Sequence, residues 1–354
     1  MQKLKSLSYR DHLKLHRDYQ RAARVASLLY TSDSKPGITR IKKGKGYGYI
    51  FKGRSVTKKE ILERIRKLAI PPSWTSVWIC PKANGHIQAT GIDMNGRKQY
   101  RYHHDWNKCR QDTKFHRLAE FGKALPRLRR QIRRDMNTSG LTESKVLATV
   151  INLAERTYIR VGNNGYEKLY GSYGLTTMKD KHVTLKNGRI SFAFTGKKGV
   201  SHEISIYDRK LARIIKQCRD IPGKELFQYY SDSGDRKCID SGMVNNYIKS
   251  ATGGEFTTKD FRTWAGSLQA LQILRKLDPP QNEADLRKNI ATVMDQVSNK
   301  LGNTRNICKK YYVHPELIKL YEEDKLKSGW QLAPKTSGLD PDEQILMQVI
   351  KRPA

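Results

Sequence analysis

This 354-residue sequence has no cysteines at short, regular spacings, and their absence disfavours two classes of protein. The chain has five cysteines, an odd number, and no two of them form a CxxC pair. Disulfide-stapled secreted domains and zinc ribbons both depend on cysteines at regular paired spacings. The cysteines therefore indicate a reducing compartment, and we expect the protein to be cytoplasmic.

Long apolar runs are also missing. The N-terminal segment MQKLKSLSYRDHLKLH has no apolar core of the kind that a signal peptide needs. No other segment approaches the roughly 20 apolar residues that cross a membrane as a helix. We therefore expect no membrane partner.

Acidic residues are scarce relative to basic ones. The chain has 68 Lys and Arg residues against 34 Asp and Glu residues, a formal net charge of +34. An excess of this size indicates a polyanionic partner, and nucleic acid is the first candidate. Charge alone would equally suit a non-catalytic nucleic-acid binder, which stays open as an alternative. Hydrophobic residues make up 37% of the chain, which is enough for a folded core.

The length suggests two domains, and the first is predicted to cover residues 1–107. Residues 1–35 predict a basic helical extension, and the remainder of this domain predicts short strands. Two Asn-Gly pairs, at 84–85 and 95–96, are hairpin signals that separate three strands between residues 77 and 104. The first domain is therefore expected to be rich in β-sheet.

The third of these strands carries a candidate nucleic-acid-contacting face. Lys98, Tyr100 and Tyr102 share one face through period-two alternation, and the basic Arg97 flanks them. Tyrosine rings can lie against sugars and bases while the lysine meets a phosphate. The alternative is an ordinary half-buried sheet with its tyrosines on the core side.

The second domain is predicted to cover residues 108–354. Its sequence is helical and very basic at first, and a later hairpin signal at Asn187-Gly188 indicates a small three-stranded sheet. We expect a larger, mainly α-helical domain and an α+β fold class for the whole chain.

The stretch LGNTRNICKKYYVHP, residues 301–315, holds a candidate nucleophile. Tyr311 and Tyr312 are adjacent and follow Lys309 and Lys310. A tyrosine phenol can attack a phosphate if nearby cations stabilise the phenolate. By itself the stretch is ambiguous, because most tyrosines in helical segments are packing residues. Neighbouring side chains of a helix point about 100° apart, so only one of the two phenols could face a phosphate.

Two cationic residues are candidates to accompany that tyrosine from the middle of the chain. Arg160 lies at the end of an amphipathic helix that is predicted over residues 146–158 and is expected to stop at Gly162. Lys197 lies at the tip of a glycine-bounded turn, from which a flexible ammonium group could reach into a groove.

Two further candidates come later in the chain. Arg262 falls in the first turn of a predicted helix, and the N-terminus of a helix favours phosphate. Asn303 stands nine residues before Tyr312 and can donate a hydrogen bond to a phosphate oxygen.

Taken in order, these motifs resemble the type IB DNA topoisomerases of the bacterial and poxvirus kind. The matching pieces are PPSW (71–74), GRKQYRYH (96–103), RTYIRVGNNGYEKLYGSYGLTTMKDKHV (156–183), FTGKKGVSHE (194–203), KDFRTW (259–264) and LGNTRNICKKYYVHP (301–315). The likeness runs from about residue 38 to the C-terminus. Because several pieces are long and all are in order, the match is specific.

The resemblance implies a role for each candidate in catalysis. The family's two catalytic arginines fall on Arg160 and Arg262, its general-acid lysine on Lys197 and its nucleophile on Tyr312. Poxvirus members have a histidine where this chain has Asn303, whereas bacterial-type members are similar to this chain in using asparagine. An asparagine cannot shuttle a proton, so only a hydrogen-bonding role is expected there.

The resemblance also implies how the chain meets DNA. Tyr100 and Tyr102 match the family's DNA-contacting tyrosines, and Lys98, Arg97 and Lys259 complete the expected DNA-binding set. The implied partner is double-stranded DNA, held by a monomer that clamps around the duplex, with nucleoid association if the host is bacterial.

The implied activity is relaxation of supercoiled DNA through a 3′-phosphotyrosyl intermediate, strand rotation and religation, without ATP, cofactor or obligatory metal. No acidic cluster suited to two catalytic magnesium ions stands out in the sequence, and no metal site is predicted. The family's likeness to tyrosine recombinases implies a mainly helical catalytic domain. A site-specific tyrosine recombinase is the nearest alternative, although such enzymes usually have a histidine where this chain has Lys259.

Overall fold

The computed structural model of the chain describes Leu15 and residues 18–44, 46–94, 96–326 and 338–351. Helices α1 to α12 span Tyr19–Val25, Lys59–Lys67, His104–Asp135, Glu143–Thr157, Asn164–Tyr170, Arg209–Arg219, Ser241–Thr252, Thr258–Leu274, Glu283–Leu301, Arg305–Tyr311, Pro315–Glu322 and Pro341–Lys351. Strands β1 to β11 span Ile38–Lys43, Gly46–Phe51, Arg54–Ser55, Thr75–Ile79, Ile87–Ile92, Lys98–Tyr102, Val183–Lys186, Arg189–Thr195, Ser201–Tyr207, Gln228–Tyr230 and Arg236–Cys238. The mixture of helices and separate antiparallel sheets confirms the expected α+β class.

Residues 1–117 and 118–354 form two compact units, and the division falls within helix α3. The first unit contains a six-stranded antiparallel sheet in the order β3-β2-β1-β4-β5-β6. Its last three strands form the predicted meander. Apolar side chains of the sheet, among them Ile38, Val77 and Ile79, pack with Ile65 of α2.

Helix α1 and the residues that follow it, as far as Leu28, pack on the start of α3. Asp18 caps α1 by accepting a hydrogen bond from the backbone of Arg21 at 2.8 Å. Ala22 and Ala23 of α1 are fully buried in a cluster that includes Trp106. The helical extension predicted for residues 1–35 lies outside the described residues over 1–14 and 16–17.

The second unit is mainly helical and contains the three-stranded sheet β7-β8-β9 and the two-stranded sheet β10-β11. Helix α8 lies at its centre and packs against α4, α9, α11 and α12. Eleven of its 17 residues are buried, so the helix is covered by other elements over most of its circumference. Because α8 contacts so many helices, it can fix the positions of side chains that come from distant parts of the chain.

Within the described part of the chain, we find no helix with the length and apolarity that crossing a membrane requires.

Candidate active site

The turn that follows α4 positions two arginines. Helix α4 ends at Thr157, and Tyr158 adopts the left-handed conformation with φ of 57°. The expectation that the helix stops at Gly162 is therefore wrong: the tyrosine itself ends it. In that conformation the Tyr158 carbonyl accepts a hydrogen bond from Nη1 of Arg262. Arg160 follows Tyr158 by two residues, so the same turn places both arginines. A strained non-glycine residue in this position is common at functional sites.

Arg160 reaches the segment that precedes the candidate nucleophile. Its Nη2 donates to Oδ1 of Asn303 at 2.6 Å and to the carbonyl of Gly302 at 3.2 Å. Burial, followed by the neighbouring charge of Arg262, lowers the pKa of Arg160 to about 10. The guanidinium is therefore still charged at neutral pH, in a site where a second cation repels it.

Arg262 is the fifth residue of α8, so its predicted place in the first turn is wrong. Thr257 and Asp260 close that turn with a capping box, in which the Thr257 backbone donates to Asp260 at 2.8 Å. The Arg262 side chain is only 6% exposed and donates to the carbonyl of Leu301 at 2.6 Å. Its Cζ lies 5.5 Å from the ring centroid of Tyr312. Any anion would therefore meet the guanidinium itself and not the helix N-terminus.

Tyr312 is the residue that ends α10, and its backbone is fastened to α8. Ser267 Oγ donates to the Tyr312 carbonyl at 3.0 Å and accepts from the backbone of His314, also at 3.0 Å. A Cβ added at Gly266 would lie 2.8 Å from Cβ and from the carbonyl oxygen of Tyr312, so only glycine permits this approach. Sequence reasoning missed both residues. A glycine inside a buried helix, four residues after Arg262, was a usable signal, since glycine there costs about 1 kcal/mol without a packing reason.

Lys197 lies where the sequence predicts it, in a glycine-bounded 3₁₀ turn over Lys197–Gly199 that joins β8 to β9. The residue is exposed. It lines a small cavity together with Arg160, Tyr158 and Lys300. The hairpin thus brings its lysine to the same cavity as the first arginine.

His202, on β9, is a site residue that sequence reasoning missed. Its ring stacks on Phe194 with centroids 5.0 Å apart and lines the same cavity. A Cβ added at Gly196 would lie 2.6 Å from this ring, and one added at Gly302 would lie 2.4 Å from it. The imidazole therefore fills the space between the Lys197 hairpin and the segment that carries Asn303.

The environment of His202 favours its neutral form. Burial is the larger cause of its lowered pKa, and the charges of Arg160 and Arg262 add to it. A neutral ring between two chain segments can act as a packing element without adding a further cation to the site.

Two buried donors of the site have no hydrogen-bond partner among the described residues: Nε of Arg262 and Nδ2 of Asn303. Leaving a buried donor unsatisfied costs about 1–3 kcal/mol. Both donors belong to predicted site residues, and one flanks the ring of Tyr312. An anionic oxygen placed there would satisfy them.

The predicted DNA-contacting strand presents its tyrosines outward. Tyr100 and Tyr102 are 42% and 39% exposed, and their rings stack with centroids 5.7 Å apart. The alternative in which they face the core is therefore wrong. Lys98 is exposed and forms an ion pair with Asp33 at 2.6 Å. The half-buried Arg97 follows the turn into this strand, and its backbone donates to Asp93 at 2.9 Å.

Lys259, the remaining predicted DNA-binding residue, is the second residue of α8 and is exposed. It lies one turn before Arg262 on a rigid helix, but the side chain points to solvent.

Comparison with known proteins agrees with this geometry. Residues 103–335 match the family model described as "Eukaryotic DNA topoisomerase I, catalytic core", and residues 46–93 match "Bacterial DNA topoisomerase IB, N-terminal domain". The chain is 35% identical over 297 residues to the DNA topoisomerase 1B of Acanthamoeba polyphaga mimivirus, which covers 81% of this chain and 88% of the relative. It is 25% identical over 275 residues to the DNA topoisomerase 1B of vaccinia virus strain Copenhagen, covering 75% of this chain and 82% of the relative. The chain therefore belongs to the type IB DNA topoisomerases.

Proposed function

We propose that this chain relaxes supercoiled duplex DNA with Tyr312 as its nucleophile. The phenol oxygen attacks a backbone phosphorus, the bond from phosphorus to the 5′ oxygen breaks, and a 3′-phosphotyrosyl link forms. The 5′ hydroxyl strand rotates and then attacks the same phosphorus to restore the backbone. Because the covalent link stores the phosphodiester energy, no ATP is needed.

The unsatisfied donors of Arg262, which lies against the Tyr312 ring, and of Asn303 are the observation that carries this proposal. A phosphodiester is anionic and repels a phenolate unless its charge is neutralised. Arg160 and Arg262 supply that charge as guanidinium groups, whose forked donors match non-bridging phosphate oxygens. The free Nε of Arg262 and Nδ2 of Asn303 are the donors that such oxygens would use. Their bonds strengthen as phosphorus becomes five-coordinate, and loss of one such donor typically costs about two to three orders of magnitude in rate.

Lys197 is proposed as the acid that protonates the departing 5′ oxygen. Its place on the rim of a cavity that Arg160 also lines supports this role. A general acid typically contributes about 10²–10⁴-fold. Asn303 is proposed as a hydrogen-bond donor only, and its 2.6 Å contact with Arg160 keeps its amide oxygen oriented toward the guanidinium.

DNA is proposed to be held by both units of the chain, residues 1–107 acting as a clamp domain and 108–354 as the catalytic domain. Tyr100, Tyr102 and Lys98 would contact the duplex from the first domain, with Arg97 beside them. Lys259 would contact it from the catalytic domain. We further propose that a monomer encloses the duplex and that the catalytic domain is similar in fold to tyrosine recombinases.

Relaxation of supercoiled plasmid in EDTA and without ATP, over a range of salt concentrations, tests the function. We expect relaxed topoisomers to accumulate. Plasmid that stays supercoiled at every salt concentration would contradict the proposal.

The identity of the nucleophile has its own test. Tyr312→Phe should bind duplex DNA as tightly as the parent chain and form no covalent adduct, because the attacking oxygen is gone. Tyr311→Phe is the matched control and should keep the adduct. Peptide mapping of trapped adducts measures both, and an adduct that survives Tyr312→Phe would move the nucleophile elsewhere.

A further inference from the structure

Four exposed tyrosines of the first unit lie together, and we call them the tyrosine surface: Tyr19, Tyr30, Tyr100 and Tyr102. They are 48%, 46%, 42% and 39% exposed, respectively. Tyr30 stacks on the buried His86 with centroids 4.3 Å apart, and the same imidazole lies 6.4 Å from Tyr102. Burial raises the pKa of Tyr102, and the nearby phenols of Tyr100, Tyr19 and Tyr30 raise it further. Tyr19 joins this group through Trp106, whose ring centroid lies 6.3 Å from that of Tyr19 and 4.7 Å from that of His86.

The segment that supplies Tyr30 is fastened to the sheet. The carbonyl of Leu29 accepts from the backbone of His86 at 2.9 Å, and the backbone of Thr31 donates to Nδ1 of the same histidine, also at 2.9 Å. Asp33 then pairs with Lys98 at 2.6 Å. Because these contacts fix residues 29–33 along β5 and β6, Tyr30 is held beside Tyr102.

Tyr19 is held at the other end of the same surface. The guanidinium carbon of Arg110 lies 4.6 Å from the Tyr19 ring centroid and 5.9 Å from that of Trp106. The surface is thus aromatic at its centre, with the Arg110 guanidinium at one end and the ion pair of Lys98 with Asp33 at the other.

An exposed aromatic patch beside a guanidinium group marks an interaction site. In a chain with a net charge of +34 the complementary partner is a polyanion. Phenol rings can lie against deoxyribose while their hydroxyl groups donate to phosphate, and neither contact depends on base sequence. We propose that Tyr19 and Tyr30 join Tyr100 and Tyr102 in one surface that contacts the backbone of duplex DNA.

The inference rests on the proposed function but is measured without cleavage. Binding is followed by fluorescence anisotropy in the Tyr312→Phe background, with a labelled duplex. Tyr19→Ala and Tyr30→Ala should each weaken binding by about 3–10-fold, which corresponds to one lost hydrogen bond and its packing. The slope of log affinity against log salt should stay the same, because no charge is removed.

Two further variants separate the loss of a DNA contact from misfolding and from the general loss of an exposed tyrosine. Tyr30→Phe preserves the stack on His86 and loses only the hydroxyl group, so it should fold normally and still bind about threefold more weakly. Tyr230→Ala removes a tyrosine that is 51% exposed on β10 of the second unit, and it should bind as the parent does.

Unchanged binding in both Tyr19→Ala and Tyr30→Ala would overturn the inference. So would an equal loss in Tyr230→Ala, or a loss that comes with a lower salt slope. Failure of the proposed function shows itself differently, as absence of relaxation and of adduct in the chain that retains Tyr312.

Discussion

At the scale of single residues, the site concentrates positive charge beside Tyr312. Burial and the charge of Arg262 lower the pKa of Arg160 to about 10, so the folded protein holds two guanidinium groups that repel each other. Their carbonyl and amide contacts, to Leu301, Gly302 and Asn303, offset part of that cost. We propose that a bound phosphate diester offsets more of it, so that the site is organised for an anion before one arrives, which is where electrostatic catalysis gains its rate.

Lys197 is expected to act on the leaving group. Lys197→Ala should slow cleavage of ordinary DNA by about 10²–10⁴-fold, because the 5′ oxygen must leave with a proton. On a substrate whose 5′ leaving oxygen is replaced by sulfur, Lys197→Ala should slow cleavage far less, because a thiolate can leave without receiving a proton. Single-turnover cleavage rates on both substrates measure this, with Lys198→Ala as the neighbouring control. Equal slowing on both substrates would remove Lys197 from the acid role.

His202 should make the stability of the protein depend on pH. Its pKa is lowered in the folded state, so below about 6.5 the unfolded chain takes up a proton that the folded chain resists. Stability should therefore be highest above that pH and fall as pH drops through it. In His202→Gln, the part of this loss of stability that comes from protonation of His202 should disappear. Free energies of unfolding in urea at pH 7.5 and 5.5 provide the measurement, and an identical loss in both chains would contradict the assignment.

At the scale of elements, helix α8 positions both a cationic side chain and the backbone of the candidate nucleophile. Arg262 and Gly266 are four residues apart and so share one face of the helix. That face holds both a guanidinium and the backbone of Tyr312, and Ser267 fastens the chain on either side of the tyrosine's peptide bond. One rigid element thus sets the distance between a cation and the candidate nucleophile.

Loosening this attachment should slow cleavage more than it weakens DNA binding. Ser267→Ala leaves the Tyr312 carbonyl and the His314 amide without their partner, and Gly266→Ala forces Tyr312 away from α8. We expect a fall of about 10-fold or more in the cleavage rate for each, with little change in affinity, because displacement by a fraction of an ångström misaligns the attack. Rapid-quench cleavage and anisotropy measure the two effects.

Gly223→Ala is the matched control for that experiment. A Cβ there would lie 2.2 Å from Oε1 of the buried Gln228 on β10, so it should destabilise the same unit, and none of the nearest atoms belongs to α8 or to Tyr312. A comparable loss of cleavage in Gly223→Ala, at equal loss of Tm, would show that the Gly266 effect is general destabilisation.

At the scale of the whole molecule, the net charge of +34 should dominate DNA affinity. If about six phosphates are neutralised, affinity should fall by about 10³-fold between 50 and 200 mM salt. Lys259→Ala should lower the salt slope by about one, whereas Lys325→Ala should not, because Glu323 already pairs with that lysine at 2.8 Å. Anisotropy titrations at several salt concentrations measure both slopes. Equal slopes in wild type and Lys259→Ala would remove that lysine from the DNA-binding set.

The sequence by itself determined the class of fold and the family. Asn-Gly pairs located the hairpins, because the left-handed conformations of tight turns restrict which residues can occupy them. The ordered motifs identified Tyr312, Arg160, Lys197 and Arg262 as candidate catalytic residues, because the chemical group of each side chain is known from the sequence alone. Positions within elements were less secure: Arg262 lies past the first turn of α8, and a tyrosine in place of a glycine ends α4.

Only the tertiary structure decided what surrounds those groups. His202, Gly266 and Ser267 contact residues that are distant in sequence. A glycine inside a buried helix signals a close approach, but no local pattern identifies the partner. The outward direction of Tyr100 and Tyr102 was equally undetermined, because period-two alternation says which residues share a face but not which face is covered. Burial is the largest cause of the lowered pKa of both His202 and Arg160, and burial is a property of the packed chain alone.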